Sequence, residues 1–244
     1  MHFRLTFCSS LLLVLVALQS YAQGIDVVTE DSRYAYLRDG KLVGPGPRVI
    51  EATLKAAGLA DYRILVYPWA RAYEKALREP DVLIYPLDRT GAREQLFKWV
   101  GEMDTVTTRF YKLRGGENIA LSSLEDARRY TIGVVRHDTR QLFLQHQGFT
   151  RLVVSANNRD NFQKLLNHQV QLLPMTERDA QIGSEEAHVD FDVLEQVYSI
   201  DQQPNHAYLA FSLSTPDETV ERARRAFEKL KGSGELERLM KETR

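Results

Sequence analysis

The residues of this chain that could do chemistry gather just past short apolar runs. IDVVT (25–29) is followed by Glu30, Arg33, Tyr34 and Tyr36. YRILVY (62–67) leads into Trp69 and Arg71, and VLIY (82–85) into Asp88, Arg89 and Arg93. Further along, Arg136, Asp138 and Thr139 follow TIGVV (131–135), and Thr176 and Glu177 follow VQLLP (170–174). An arginine fixed in such a place can take a carboxylate through two parallel hydrogen bonds, which lysine cannot do. A flat aromatic can cover a ligand's apolar part, and the free amides at 138–140 can add anion contacts. Plainer readings stand beside these. Arg71 can pair with Glu74 on a helix surface, and Trp69 falls in a helical stripe with Tyr73 and Leu77. Asp138 and Thr176 can act only as caps, and Arg93 can be solvated near a helix start.

The elements that must hold these residues follow from periodicity and punctuation. The strand 25–29 leads to a helix opened at Gly46-Pro47 and closed at Gly58. The strand 62–67 is followed by a helix opened at Pro68, and 82–85 forms a third strand, ended by Pro86. Strand–helix–strand–helix–strand with short links predicts parallel strands joined by helical crossovers. The pattern then restarts. Ser122 to Glu125 reads as a capping box before a short helix. Strands at 131–135, 151–155 and 170–174 alternate with helices opened at Asp138 and running 158–167. YLAFS (208–212) is a last strand, and Thr215-Pro-Asp-Glu218 is a capping box for a helix to Lys231. Gly232 and Gly234 break that helix before a short final one. The stretches 106–113 and 198–208 read as paired extended crossings between two lobes. Beyond the carboxyl ends of parallel strands, where helix N-termini also point, such sheets bind ligands.

Much chemistry is excluded. There is no G-x-S-x-G elbow, no phosphate loop ending G-K-[ST] and no H-E-x-x-H helix. The histidines are scattered, whereas a zinc site needs three or four convergent donors. Nothing implies a cofactor or a metal. The first 22 residues combine a weakly basic start, the apolar run LLLVLVAL and small residues at Ser20 and Ala22, the pattern of a cleaved secretory signal. The apolar run is too short for a bilayer core of ~30 Å. Cleavage after Ala22 removes Arg4 and Cys8, so the mature charge is 31 − 33 = −2 and no cysteine remains. That balance argues against a nucleic-acid partner. The expectation is a periplasmic chain, monomeric and not embedded in the membrane.

The sequence resembles the bacterial periplasmic solute-binding proteins of family 3, which include polar amino acid receptors of ABC transporters. The resemblance is carried by TEDSRYAYLRDGKLVG (29–44), YPWARA (67–72), DVLIYPLDRTGAREQLFKW (81–99), Ser-Leu-Glu-Asp before YTIGVV (123–135) and YLAFSLSTPDETVERARRAFEKLKGSGELERL (208–239). It implies an α/β fold of two lobes, the type 2 periplasmic-binding arrangement. Each lobe would be a mostly parallel sheet flanked by helices, and two hinge crossings would join them. The implied division is 23–107 plus 205–244 for lobe one and 108–204 for lobe two. By the same resemblance, Arg93 in Thr90-Gly-Ala-Arg93 holds a ligand carboxylate, Asp138 and Thr139 match the helix N-terminus of lobe two, and Tyr34 or Tyr36 matches an aromatic near the first strand. The family's ammonium-binding aspartate falls at Thr176, with Glu177 beside it, which departs from the pattern for an α-amino acid.

The expected function is capture of a small polar solute, amino acid-like or carboxylate-bearing, by hinge closure, with delivery to an ABC permease or a sensor. The expected contacts are Arg93, Trp69, Arg71, Tyr34, Tyr36, Glu30, Asp88, Asp138, Thr139, Thr176 and Glu177. Two alternatives differ in class. One is a periplasmic enzyme on the same scaffold, resembling cyclohexadienyl dehydratases, with Glu177 or Glu30 as general acid. The other is an accessory or interaction protein with a vestigial cleft.

Overall fold

The structure, a computed structural model, describes residues 24–38 and 40–241, and for 201–205 the backbone alone. The signal segment, its cleavage site and Cys8 lie outside the described residues. The first half begins with β1 (Ile25–Thr29), a small hairpin of β2 (Tyr36–Arg38) and β3 (Lys41–Val43), and α1 (Pro45–Ala56). There follow β4 (Tyr62–Val66), α2 (Trp69–Arg78), β5 (Val82–Asp88) and the 17-residue β6 (Phe97–Leu113). A short 3-10 turn (Glu125–Arg129) precedes β7 (Ile132–Val135), α3 (Thr139–His146), β8 (Leu152–Ser155) and α4 (Asn158–Leu166). Then come β9 (Leu173–Met175), α5 (Glu177–Ala187), the 19-residue β10 (Leu194–Ser212), α6 (Asp217–Gly232) and α7 (Glu235–Lys241).

One mixed sheet runs through the molecule in the order β4-β1-β5-β10-β6-β9, and β7 and β8 form a separate parallel pair. β1 is parallel to both β4 and β5, as helical crossovers require. β6 and β10 pair antiparallel from Ser212–Phe97 to Leu194–Leu113, so the two crossings are one long ladder. Four apolar clusters split along it. Two are built chiefly from 25–103 and 207–239, including Val27, Ile50, Leu83 and Phe227. The other two come from 110–200, including Phe110, Ile132, Leu165 and Leu173. The chain therefore folds into two lobes, and α6 and α7 return to the first.

Several local expectations are corrected. β5 does not end at Pro86 but continues to Asp88. Pro86 falls at a register shift between Tyr208 and Ala210 of its partner, and β1 pairs only as far as Ile84, so the ladder asks no donor of it. The box at 122–125 sits one residue later: Asp126 accepts from the amides of Ser122 and Ser123. At 215–218 no side-chain cap forms, because the Thr215 hydroxyl pairs with Ser212 instead. The last strand of the second half is 173–175 rather than 170–174. The β2–β3 hairpin was not anticipated, and α5 was signalled only by the cap at Thr176, whose hydroxyl accepts the Asp179 amide.

The C-terminal return depends on close approach at Gly101, a buried β6 residue beneath α6. A Cβ there would overlap the Phe227 ring, which is itself fully buried. Overpacking of this kind costs ~1–3 kcal/mol. Gly101→Ala is therefore expected to lower the unfolding free energy by that amount, and with it the urea midpoint, and Gly232→Ala, with open space around it, to leave the midpoint nearly unchanged. Equal midpoints for the two variants would show that α6 is not pressed onto β6.

Candidate functional site

The carboxyl ends of β1 and β5 meet the start of α3 and the β9–α5 junction. His137, just before α3, adopts a left-handed backbone at φ 61°, a conformation in which histidine is over-represented among non-glycine residues. Its amide donates to Gln141 Oε1 at 2.7 Å, and its carbonyl turns toward the first lobe. That oxygen accepts both Trp69 Nε1 and Arg93 Nη2, each at 3.1 Å. Thr139 adds a second crossing contact by donating its hydroxyl to the Asp88 carboxylate.

Arg93 is thus buried, at 2% exposure, and it faces the junction of the lobes rather than solvent. Its other terminal nitrogen donates to the Asp88 carbonyl at 3.2 Å. Its guanidinium lies 4.9 Å from the Tyr73 ring centre and 5.7 Å from that of Trp69, a cation–π arrangement. Those rings begin a row, Trp69–Tyr73–Phe97–Trp99–Tyr208, with neighbouring centroids 5.6–6.0 Å apart. Arg89 covers its far end over Trp99 and Tyr208 and holds Glu94 through two bonds. Both arginines after β5 are therefore engaged by aromatics and fixed acceptors. The two terminal nitrogens of Arg93 are thus given to carbonyl oxygens, its Nε has no hydrogen-bond partner, and the side chain is not among those lining the cavity.

The cavity, of about 60 Å³, lies between the lobes over the β6–β10 ladder, where Val106 and Ala207 floor it. Glu30, Tyr34, Trp69 and Asp88 line it from the first lobe. Asp138, Thr139 and Thr176 line it from the second. Three charged lining residues were not among the expected contacts: Arg33, Arg140 and Asp179. Arg33 was noted after the first strand and residue 140 among the free amides of 138–140, but nothing in their spacing says which way the side chains turn. Asp179 follows Thr176, which the sequence offers as a cap, and its carboxylate accepts the Thr176 hydroxyl at 2.7 Å.

The electrostatics are crowded. Asp138 caps α3 at the Arg140 amide (2.7 Å) and also holds the Arg140 guanidinium at 2.7 and 2.8 Å. Burial pushes the Asp138 carboxyl up, but Arg140 outweighs it and the net shift is downward. Arg140 spends another donor on the Pro174 carbonyl. Arg33 binds Asp104 at 2.6 Å and contacts the Tyr34 hydroxyl. Asp88 is raised by burial, against the Thr139 hydrogen bond. Glu30 is the outlier. It is 7% exposed, and its Oε2 has no hydrogen-bond partner. Burial first, then Asp138, Asp179 and Asp88, outweigh Arg140 and push it up to about 8.

Besides Arg93, three expected contacts fall outside the cavity. Arg71 lies over the Tyr67 ring at 4.3 Å, on the exposed side of α2. Tyr36 belongs to the hairpin and meets Arg38. Glu177 is half exposed and faces Arg109 at 3.6 Å. Each follows a strand, but one residue of helix or hairpin twist turns its side chain away. No group of three His, Cys, Asp or Glu among the described residues is placed to hold a metal, and no described helix is long and apolar enough to cross a membrane.

A two-lobed body on a shared long ladder, with a chamber between the lobes at the strand ends, has clear parallels among solved structures. A histidine kinase sensor domain with similarity to periplasmic binding proteins superposes with TM-score 0.76 at 15% identity, over 89% of this chain and 94% of that one. The arginine-, lysine-, histidine-binding protein ArtJ of Geobacillus stearothermophilus gives 0.75 at 18%, over 89% and 94%. The fold is that of the periplasmic binding proteins. A third member of this fold, the amino acid ABC transporter substrate-binding protein AbpA of Streptococcus pneumoniae, bound to L-arginine, gives 0.75 at 17%, over 89% and 92%. No family model matches the sequence, and no curated protein matches it either. At these identities the likeness establishes the periplasmic-binding fold, and the residues of the chamber must speak for themselves.

The raised Glu30 gives a test in the free protein. Its ordinary value is 4.5 and its folded value about 8, so between these the folded chain keeps a proton that the unfolded chain releases. Stability contributed by the neutral form is full below the unfolded value and is lost as pH rises through the window, by up to about 1.4 kcal/mol per unit. Glu30→Gln is expected to match the wild type in urea midpoint near pH 5 and exceed it near pH 8.5. Parallel pH profiles of the two proteins would mean that Glu30 is ionised throughout.

Proposed function

We propose that this chain is an exported solute-binding protein that encloses a small polar solute between its lobes and presents it, by hinge closure, to an ABC permease or a sensor. The observation that carries this reading is the interlobe chamber itself, with carboxylates contributed by both lobes: Glu30 and Asp88 from one, Asp138 and Asp179 from the other. Contacts such as Trp69 to His137 cross the same gap. Closure would build that chamber and opening would empty it. The hinge would lie in β6 and β10, with lobe one at 23–107 plus 205–244 and lobe two at 108–204. Export would follow cleavage near Ala22, into the periplasm, as a monomer. The solved relatives support this breadth, since one is described as a kinase sensor domain and others as amino acid-binding proteins.

A second reading is favoured by one feature. A buried carboxyl that holds its proton near neutrality, such as Glu30, is suited to general acid work, so a dehydratase-like activity on a cyclohexadienyl substrate is the enzymatic alternative. Glu177, exposed and facing Arg109, does not share that environment.

A thermal-shift series with amino acids, amines and small acids separates the readings. A solute that binds only the native chain raises its stability by about 2.7 kcal/mol at a hundred times its Kd, and such a response is expected from at least one compound. Arg93→Ala is expected to weaken that compound whether or not it bears a carboxylate, because the loss is one of closure. Silence across the series would remove the binding reading. Phenylpyruvate or phenylalanine released from prephenate or arogenate would install the enzyme.

A further inference from the structure

The two arginines that line the chamber and the one behind it are already spoken for. Arg93 is held by the Asp88 and His137 carbonyls, Arg140 by both oxygens of Asp138 and Arg33 by Asp104. Arg93 Nε has no hydrogen-bond partner, but that residue does not line the chamber, so a ligand carboxylate there would have to compete with Asp138 for Arg140 or with Asp104 for Arg33. The carboxylates are in the opposite state. Glu30, Asp88 and Asp179 have no ion-pair partner within 4 Å among the described residues, and Glu30, more than nine-tenths buried, lines the chamber with Oε2 unpartnered. An orphaned buried acceptor of this kind is rare in a folded protein, and the group that would satisfy it is a donor, best a cation.

The chamber is also not closed on every side. A second cavity of about 280 Å³ adjoins it, sharing Glu30, Ser32, Arg33, Asn158 and Asp179 with the first. Its other walls are chiefly apolar: Val66, Tyr67, Phe162, Met175 and Ile182 among them. A water needs on the order of 10–15 Å³ of such space. The inner chamber therefore suits an ammonium group with little else, and the outer one suits a ring or a short alkyl body. The shared wall carries Glu30 and Asp179, at the point where the two spaces meet.

We infer that the solute is a primary amine with an apolar tail and no carboxylate, its ammonium seated on Glu30 and Asp179 and its tail in the cavity walled by Val66, Phe162 and Ile182. This rests on the solute-binding reading above and narrows its substrate class. An α-amino acid would bring a carboxylate into a chamber whose arginines are closed to it. A diamine would bring its second charge to walls that are chiefly apolar, where the carboxylates present, Asp31 and Glu186, already face Arg159 at 3.9 and 3.1 Å. Seating the ammonium requires Glu30 ionised, so binding near neutrality should release a proton. The charged groups around that carboxyl are Asp138 and Arg140 at the start of α3, Asp179 on α5, Asp88 at the end of β5 and Arg33 after β1.

The test is calorimetry on the mature protein with tryptamine, tryptophan, putrescine and indole-3-acetate, repeated at pH 7 in buffers of different ionisation enthalpy. Tryptamine is expected to bind at least tenfold more tightly than each of the others, with release of close to one proton, and its affinity should rise with pH up to about 8. Glu30→Gln should weaken tryptamine at least tenfold and abolish the proton release. Ile182→Ser, at a half-buried wall position, should weaken tryptamine and leave putrescine unchanged. If tryptophan or indole-3-acetate binds as tightly as tryptamine, the amine assignment is overturned while the binding reading stands. If none of the four binds but another compound of the thermal-shift series does, the substrate class is likewise wrong. A series with no binder at all overturns both.

Discussion

One backbone oxygen organises the meeting of the two lobes. The His137 carbonyl accepts an indole N–H and a guanidinium N–H from the other side of the cleft, and it can do so because its residue takes a left-handed backbone just before α3. From that contact the rest follows. Trp69 is fixed at the start of α2, Arg93 is fixed over the aromatic row, and Asp88 is brought within reach of the Thr139 hydroxyl. The acceptor is main chain, so the contact depends on local backbone geometry and not on what the histidine ring does.

The same arrangement decides the electrostatic character of the cleft. Arginine is costly to bury and is tolerated where its donors are matched. Here the terminal nitrogens of Arg93 and the Arg140 fork are matched by protein groups, with Arg93 Nε left unpartnered, so little cationic field reaches the chamber. The carboxylates are matched less completely. Asp138 has a full partner in Arg140, Asp88 has a hydroxyl, and Glu30 is pushed toward its protonated form because Arg140 does not outweigh its burial and the neighbouring carboxylates. A surface carrying both signs in nearly equal number thus encloses a chamber of one dominant sign, and the net charge of the chain gives no hint of it.

The fold was legible because it rests on short-range grammar. Proline and glycine mark the ends of α1 and α2, the runs 25–29, 62–66 and 132–135 are continuous apolar strands, and the extended stretches around 106–113 and 198–208 became the long ladder. What failed was local and had local causes. Pro86 reads as a stop unless the register of its partner is known, and α5 carries too few apolar residues at helical spacing to announce itself. The site was legible as a set of strand ends and not as a set of side chains. Glu30, Trp69 and Asp138 turn inward, while Arg71, Tyr36 and Glu177 turn outward by one step of backbone. Arg93 illustrates the limit most directly: its position beside the cleft could be anticipated, but the carbonyls that occupy it belong to residues 5 and 44 positions away.

The continuity of β6 and β10 has a mechanical meaning. The lobes are not strung on loose loops, since both connections are rungs of one antiparallel ribbon, and hydrogen-bonded rungs resist sliding while a two-stranded ribbon yields readily to torsion. Four register irregularities interrupt the pairing, and one, between Ile200 and Asn205, lies opposite Val106–Thr108, directly under the chamber. Irregular pairing is where a ribbon bends and over-twists. Any twist of one lobe against the other would act at that point, beneath the cavity, and displace its rim more than its floor at Val106 and Ala207.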